Sequence, residues 1–139
     1  SAVDAATAAA LDKAMTPGTG QKRLDAMVGK FNVAIRAWAT PATSPVASNA
    51  VCTNVWTLGG RYLQSNLSGF VAGAPFNGIG YIAYDNSAGR YQATWMDTGS
   101  TAQTWYAGGF KPGTKSAVMK ASISASVETF GPGWISSAA

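Results

Sequence analysis

Two charged residues stand out for the chemistry they could do: Arg61 in the stretch LGGRYL and Asp97 in TWMDTGS. If Arg61 opens a strand whose Leu63 and Leu67 face inward, period-two alternation turns Arg61 inward with them. Asp97 ends another strand and shares a face with Trp95 two residues before it. The expectation is that guanidinium and carboxylate approach each other near one mouth of a barrel. They would act first as a structural ion pair and second as the polar anchor of a ligand.

Little else in the chain suits catalysis. It has no histidine, which excludes Ser-His-Asp and Cys-His nucleophiles, histidine-ligated metals and histidine-ligated haem. Of its six acids, Asp4, Asp12 and Asp25 fall in a helical N-terminus and Asp85 at a turn; Asp97 and Glu128 complete the set, with no pair suited to general acid and base. Met15, Met27, Met96 and Met119 read as core residues rather than iron ligands. Cys52 is the sole cysteine, so no intrachain disulfide is possible, and its neighbours Val51, Thr53 and Val55 mark it as a buried apolar side chain. No catalytic residue, metal or cofactor is expected, and a non-enzyme is favoured over an enzyme.

Composition narrows the partners. Net charge is +4, but the ten lysines and arginines are scattered and Lys22-Arg23 is the one adjacent pair, which argues against nucleic acid. No apolar run approaches the roughly 20 residues of a membrane-spanning helix. Charged residues make up only 12% of the chain, with Ala, Ser, Thr and Gly where lysine and glutamate usually sit; this fits an exported protein with a neutral surface. The N-terminal SAVDAATAAALDKAM lacks the basic and apolar regions of a signal peptide, and its small first residue fits a mature start after cleavage. A periplasmic or secreted location is therefore favoured over a cytoplasmic one.

These residues must be positioned by an architecture. Alanines with Leu11 and Met15 four apart predict a helix over 3–15, ended by TPGTG; Leu24, Met27 and Val28 predict a second over 20–28, stopped at Gly29. From Lys30 the period drops to two, with Phe31, Val33, Ile35 and Ala37 alternating against Asn32, Ala34, Arg36 and Trp38. After a proline-containing loop at 40–48, strands are predicted over 49–57 and 61–67 about a turn at Leu58-Gly59-Gly60. A glycine-rich stretch at 69–78 leads to a hairpin, and further strands follow at about 101–107 and 115–124. Short strands without intervening helices make an antiparallel meander. The predicted fold is one all-β domain over 1–139: an antiparallel up-and-down barrel over 30–139 with a short helical cap over 1–28.

The hairpin is specified in detail. With Asn86-Ser87-Ala88-Gly89 as its loop, Asp85 faces Arg90, and Tyr84 then pairs with Tyr91, Ile82 with Ala93, and Gly80 with Trp95. That face is the more apolar and points inward, with the Trp95 indole over Gly80 and with Gly78 opposite Asp97. GIG follows no strand-to-helix transition, so its glycines read as barrel curvature and not as a phosphate loop.

The stretches TLGGRYLQSNLSG and PFNGIGYIAYDNSAGRYQATWMDTGST resemble a bacterial family of unknown function, DUF1579. The elements are Leu58, Gly59, Gly60, Arg61, Tyr62 and Leu63; then Phe76, Gly78, Gly80, Tyr84, Asp85 and Asn86; then Tyr91, Trp95 and Asp97. QKRLDAMVGKFNV is similar to the family's opening, with Gln21 where histidine is common and Phe31 where tryptophan is common. The resemblance covers roughly residues 20–108 and implies a lipocalin-like, calycin-type barrel with no established activity.

Two functional classes follow. In the first, an interior lined by Phe31, Ile35, Tyr84, Tyr91, Trp95 and Trp105, with Arg61 and Asp97 as polar anchors, receives a small apolar or amphipathic molecule. In the second those side chains fill the barrel, and the outer surface contacts a protein partner or another copy of the chain. An enzyme on a hydrophobic substrate ranks third. An interior cavity of a few hundred cubic ångströms separates the first class from the second.

Overall fold

The computed structural model describes residues 2–121, 127–130 and 137–138. Helix α1 covers Ala5–Met15, α2 covers Thr19–Lys22, and a 3-10 turn over Arg23–Met27 continues α2. Asp4 caps α1 by accepting from the Thr7 amide at 2.9 Å. The strands are β1 Gly29–Ala37, β2 Val46–Thr57, β3 Tyr62–Val71, β4 Ala74–Asp85, β5 Arg90–Asp97, β6 Thr104–Phe110, β7 Ala117–Ala121, β8 Val127–Phe130 and β9 Ser137–Ala138.

All described strands form one antiparallel sheet in the order β8-β7-β6-β5-β4-β3-β2-β1-β9. From β1 to β8 each strand pairs with the next in the chain, as a meander requires. β9 breaks the sequence by pairing with β1 at the far edge, Phe31 opposite Ala138. Consecutive strands β8 and β9 thus lie on opposite edges. The chain between Phe130 and Ser137 spans at most about 25 Å, whereas nine strands laid flat place the edge strands about 38 Å apart. The sheet must curl, and the predicted all-β meander with a short helical cap is the fold observed.

Alternation divides the sheet into an inner and an outer face, and the inner face carries two core clusters. One unites Leu24, Leu63, Tyr91 and Met119, with Met27, Trp56, Ile82, Tyr84, Tyr106 and Phe110 against it. Its sheet members lie at the end of the β4–β5 turn. The other, towards the opposite end, unites Val33, Ala50, Cys52 and Leu67 with Ile35, Phe76 and Trp95. The cap serves the first cluster: Leu24, 2% exposed, plugs that end, while α1 buries no residue at all.

Several boundaries differ from those predicted; the strand predicted over 115–124 is described as β7 at Ala117–Ala121, and 122–124 lie outside the described residues. The glycine-rich stretch 69–78, which carries no strand in the sequence reading, is mostly strand. β3 runs on to Val71 and β4 starts at Ala74, joined by a two-residue turn in which Ala72 and Gly73 have φ of 50° and 80°. Two consecutive positive φ values match the twist of the flanking strands, and glycine adopts them without strain. β2 begins three residues earlier than predicted, inside the proline-containing loop, and β6 lies three residues further on.

Candidate functional site

The hairpin register is the predicted one: Asp85 opposite Arg90, Tyr84 opposite Tyr91, Gly80 opposite Trp95 and Gly78 opposite Asp97. Its loop is held by Asp85, whose Oδ1 accepts from the Ser87 and Ala88 amides at 2.9 and 3.0 Å. The Ala88 amide in particular holds this carboxyl below its ordinary pKa. The Trp95 indole lies across both strand glycines. A β-carbon at Gly78 would fall 2.2 Å from Trp95 Cζ2, and one at Gly80 2.7 Å from Trp95 Cε3. Trp95 Nε1 donates to Asp97 Oδ2 at 2.7 Å, and Asp97 Oδ1 accepts from the Gly99 amide at 2.8 Å. Asp97 therefore orients the indole and the turn that follows.

Arg61 does not meet Asp97. It precedes β3 in the β2–β3 turn, exposed, donating to the carbonyl oxygens of Met15 at 2.7 Å and Leu58 at 3.1 Å. Asp97 sits opposite Gly78, which pairs with Leu67, so six residues of strand, about 20 Å, separate the two ends. The inward orientation expected for Arg61 fails because alternation applies only within a strand, and β3 begins one residue later. Trp105 is the other correction: it pairs with Thr94 on the outer face and is 51% exposed, while Tyr106 takes the inward position.

What Arg61 does instead belongs to a network that the sequence reading missed. The Asn86 Nδ2 group donates to the carbonyl oxygens of Lys13 and Thr16, both at 2.8 Å, so Arg61 and Asn86 together satisfy the carbonyls at the end of α1. Gln21, buried, accepts from the Gly18 amide through Oε1 and donates through Nε2 to the Tyr84 carbonyl and to Asn86 Oδ1. The Tyr91 hydroxyl donates to the Gly20 carbonyl at 2.7 Å. On the far side Arg23 lies 4.0 Å over the Phe110 ring and donates to the Thr114 carbonyl. Trp56 Nε1 donates to Asp25, and the fully buried Asn54 donates to the Met27 carbonyl at 2.8 Å. Most of these acceptors are backbone carbonyls, which leave no mark in a residue pattern.

The curled sheet is thereby closed at one end. Tyr84 and Tyr91 sit there with centroids 4.8 Å apart, and Phe110 meets Tyr91 edge-on at 5.1 Å. At the other end Phe31, Ile35, Phe76, Trp95 and Asp97 are half-buried on the inner face. Two open clefts of about 440 and 550 Å3 lie elsewhere: one beside the cap between Gln21, Lys22, Asp25 and Trp56, the other over β1–β3. The first touches the inner face through Trp56, and neither is lined by Phe31, Tyr84, Tyr91 or Trp95.

Burial raises the pKa of Cys52, whose thiol donates to Asn54 Oδ1 at 3.2 Å, so it is a poor nucleophile. Among the described residues no group of three or more Cys, Asp or Glu side chains is placed to hold a metal ion, and no helix is long and apolar enough to cross a membrane.

Burial also raises the Tyr91 pKa, outweighing the lowering by nearby Arg23. A raised folded-state pKa means that the unfolded chain loses this proton first, so the contribution of Tyr91 is complete below the ordinary value of 10.0 and declines as pH rises above it. Urea unfolding between pH 8 and about 11 should show this alkaline loss. Tyr91→Phe should lower stability by about 1 kcal/mol at neutral pH, through the lost bond to Gly20, and flatten the alkaline decline. An unchanged alkaline slope in Tyr91→Phe would place the loss in other groups.

No curated protein matches the chain in sequence. A family model described as a protein of unknown function, DUF1579, matches residues 16–133, starting where α1 ends and taking in the cap turn, the plug and the sheet through the end of β8. Since the match covers most of its length, the chain belongs to the DUF1579 family.

Proposed function

We propose that this is a binding protein that takes a small apolar or amphipathic molecule on the inner face at the Trp95 end of the sheet. The observation that carries the reading is the asymmetry of the interior. The Tyr91 end is packed ring on ring and plugged by Leu24, whereas Phe31, Ile35, Phe76 and Trp95 keep part of their apolar surface accessible. Tyr84 and Tyr91 then form the floor, Trp95 and Phe31 the walls, and Asp97 holds the indole in place. With both Asp97 oxygens engaged by its own strand and turn, recognition rests on shape and apolar area.

A second reading, a filled barrel acting as an interaction module, draws support from the same floor and from two clefts that both lie away from Phe31, Tyr84, Tyr91 and Trp95. Fluorescence titration with 8-anilinonaphthalene-1-sulfonate separates the two, together with native mass spectrometry of the purified protein. On the binding reading one probe binds per folded chain, and Ile35→Trp, which fills the inner face, weakens it by about tenfold or more. No probe binding, or binding indifferent to Ile35→Trp, favours the filled barrel.

A further inference from the structure

The outer face of β1–β3 carries a groove of about 550 Å3 that the inner-face reading does not use. The outward side chains that line it are Asn32 and Ala34 from β1, Asn49 and Val51 from β2, and Ser68 and Phe70 from β3. Alternation puts them opposite the buried Val33, Ala50, Cys52 and Leu67, and the register sets Asn32 beside Val51 beside Ser68 in one row across the strands. Three features bear on its ligand. Phe70 is 55% exposed, a large apolar ring left in water. Among the described residues the Asn49 and Ser68 side chains have no hydrogen-bond partner. Among the described residues no ionisable side chain lines the groove.

We propose that this groove binds a neutral saccharide. A pyranose ring has apolar C–H faces, which suit an exposed aromatic ring, and a rim of hydroxyls that both donate and accept. Carboxamides and a serine hydroxyl are the side chains that also do both. A charged ligand would lose hydration in the groove without gaining a counter-charge from its lining. Lys30 and Arg36 flank the groove one outward position beyond Asn32 and Ala34, so an anionic sugar is the competing ligand to test. A second copy of the chain fits less well, because a convex sheet meets another along a narrow strip.

The test is a backbone amide NMR titration of the full chain with cellohexaose, maltohexaose and laminarihexaose, and with an oligogalacturonide as the anionic arm. At least one neutral oligosaccharide should bind with a Kd in the millimolar range or tighter, shifting Asn32, Asn49, Ser68 and Phe70. Added salt should leave that Kd unchanged. Phe70→Ala should raise the Kd by about tenfold, and Ser68→Lys, which puts a long charged side chain on the groove floor, should abolish binding. Both positions are exposed, so both variants should fold. The proposal fails if no neutral oligosaccharide binds, if only the oligogalacturonide binds and in a salt-dependent way, or if Phe70→Ala leaves the Kd unchanged. It also fails if the shifts gather around Trp95, a result that would instead place the sugar in the inner site.

Discussion

Trp95→Ala should lower the free energy of unfolding by about 3 kcal/mol, a large share of the 5–15 kcal/mol typical of a domain. The indole covers the bare backbone at Gly78 and Gly80, which no other side chain replaces, and it packs with Val33, Ala50, Cys52 and Leu67. The two glycines then respond differently once the indole is gone. At Gly78 the three nearest atoms to an added β-carbon all belong to Trp95, whereas at Gly80 the Thr94 carbonyl oxygen also lies within 2.8 Å. Gly78→Ala should therefore destabilise the native protein by about 1–3 kcal/mol through overpacking. In a Trp95→Ala background it should become neutral or stabilising, because alanine restricts the unfolded chain and the clash has been removed. Gly80→Ala should stay destabilising in both backgrounds, since a backbone carbonyl cannot step aside. Denaturant midpoints at constant m, assembled into two double-mutant cycles, measure this. A coupling near zero for the Gly78–Trp95 pair would show that the glycine serves curvature and not the indole.

This pairing was legible in the sequence because two independent signals agreed. The Asp85-to-Arg90 loop set one register, and alternation placed Tyr84, Ile82 and Gly80 on the same face as Tyr91, Ala93 and Trp95. Where one signal stood alone, the reading slipped. For Trp105 no turn in the sequence sets a register; the pairing of Ala93 with Tyr106 and of Thr94 with Trp105 puts Tyr106 inward, and a one-residue change of phase exchanges the faces. The Ala72-Gly73 turn is hard to see in the sequence because alanine at positive φ is uncommon and the neighbouring glycines blur the alternation of the two strands. The pairing of Arg61 with Asp97 rests on extending the alternation of Leu63 and Leu67 back by one more step, past the strand's start, yet its partners are carbonyl oxygens of the cap and of its own turn. The resemblance gathered Arg61, Asn86 and Gln21 without explaining them. Their shared role lies where the β2–β3 and β4–β5 turns meet the backbone of residues 13–21, a junction that only the folded chain brings together.

That junction supports the other large expected effect. Gln21→Leu keeps the volume of a buried side chain but leaves the Gly18 amide, the Tyr84 carbonyl and Asn86 Oδ1 without their partner, a loss of about 2–3 kcal/mol. Gln21→His should retain much of the difference, because a neutral imidazole also offers one donor and one acceptor; this is the residue type common at this position in the resembling family. The loss should be local in its first consequence. α1 buries nothing and hangs on Arg61 and Asn86, so freeing Asn86 from Gln21 loosens the whole segment before the sheet melts. Trypsin reports this directly, since Lys22 and Arg23 lie in the cap; cleavage there should speed up in Gln21→Leu under conditions where the sheet stays folded. Because Gln21 and Asn86 share a hydrogen bond, the Gln21→Leu/Asn86→Ala double variant should lose less than the sum of the single variants. Strict additivity would mean that the Gln21–Asn86 bond contributes nothing, and cleavage that accelerates only when the sheet unfolds would mean that the cap and the sheet form one cooperative unit. The plugging residue Leu24, and not the polar fastening, would then hold the closed end in place.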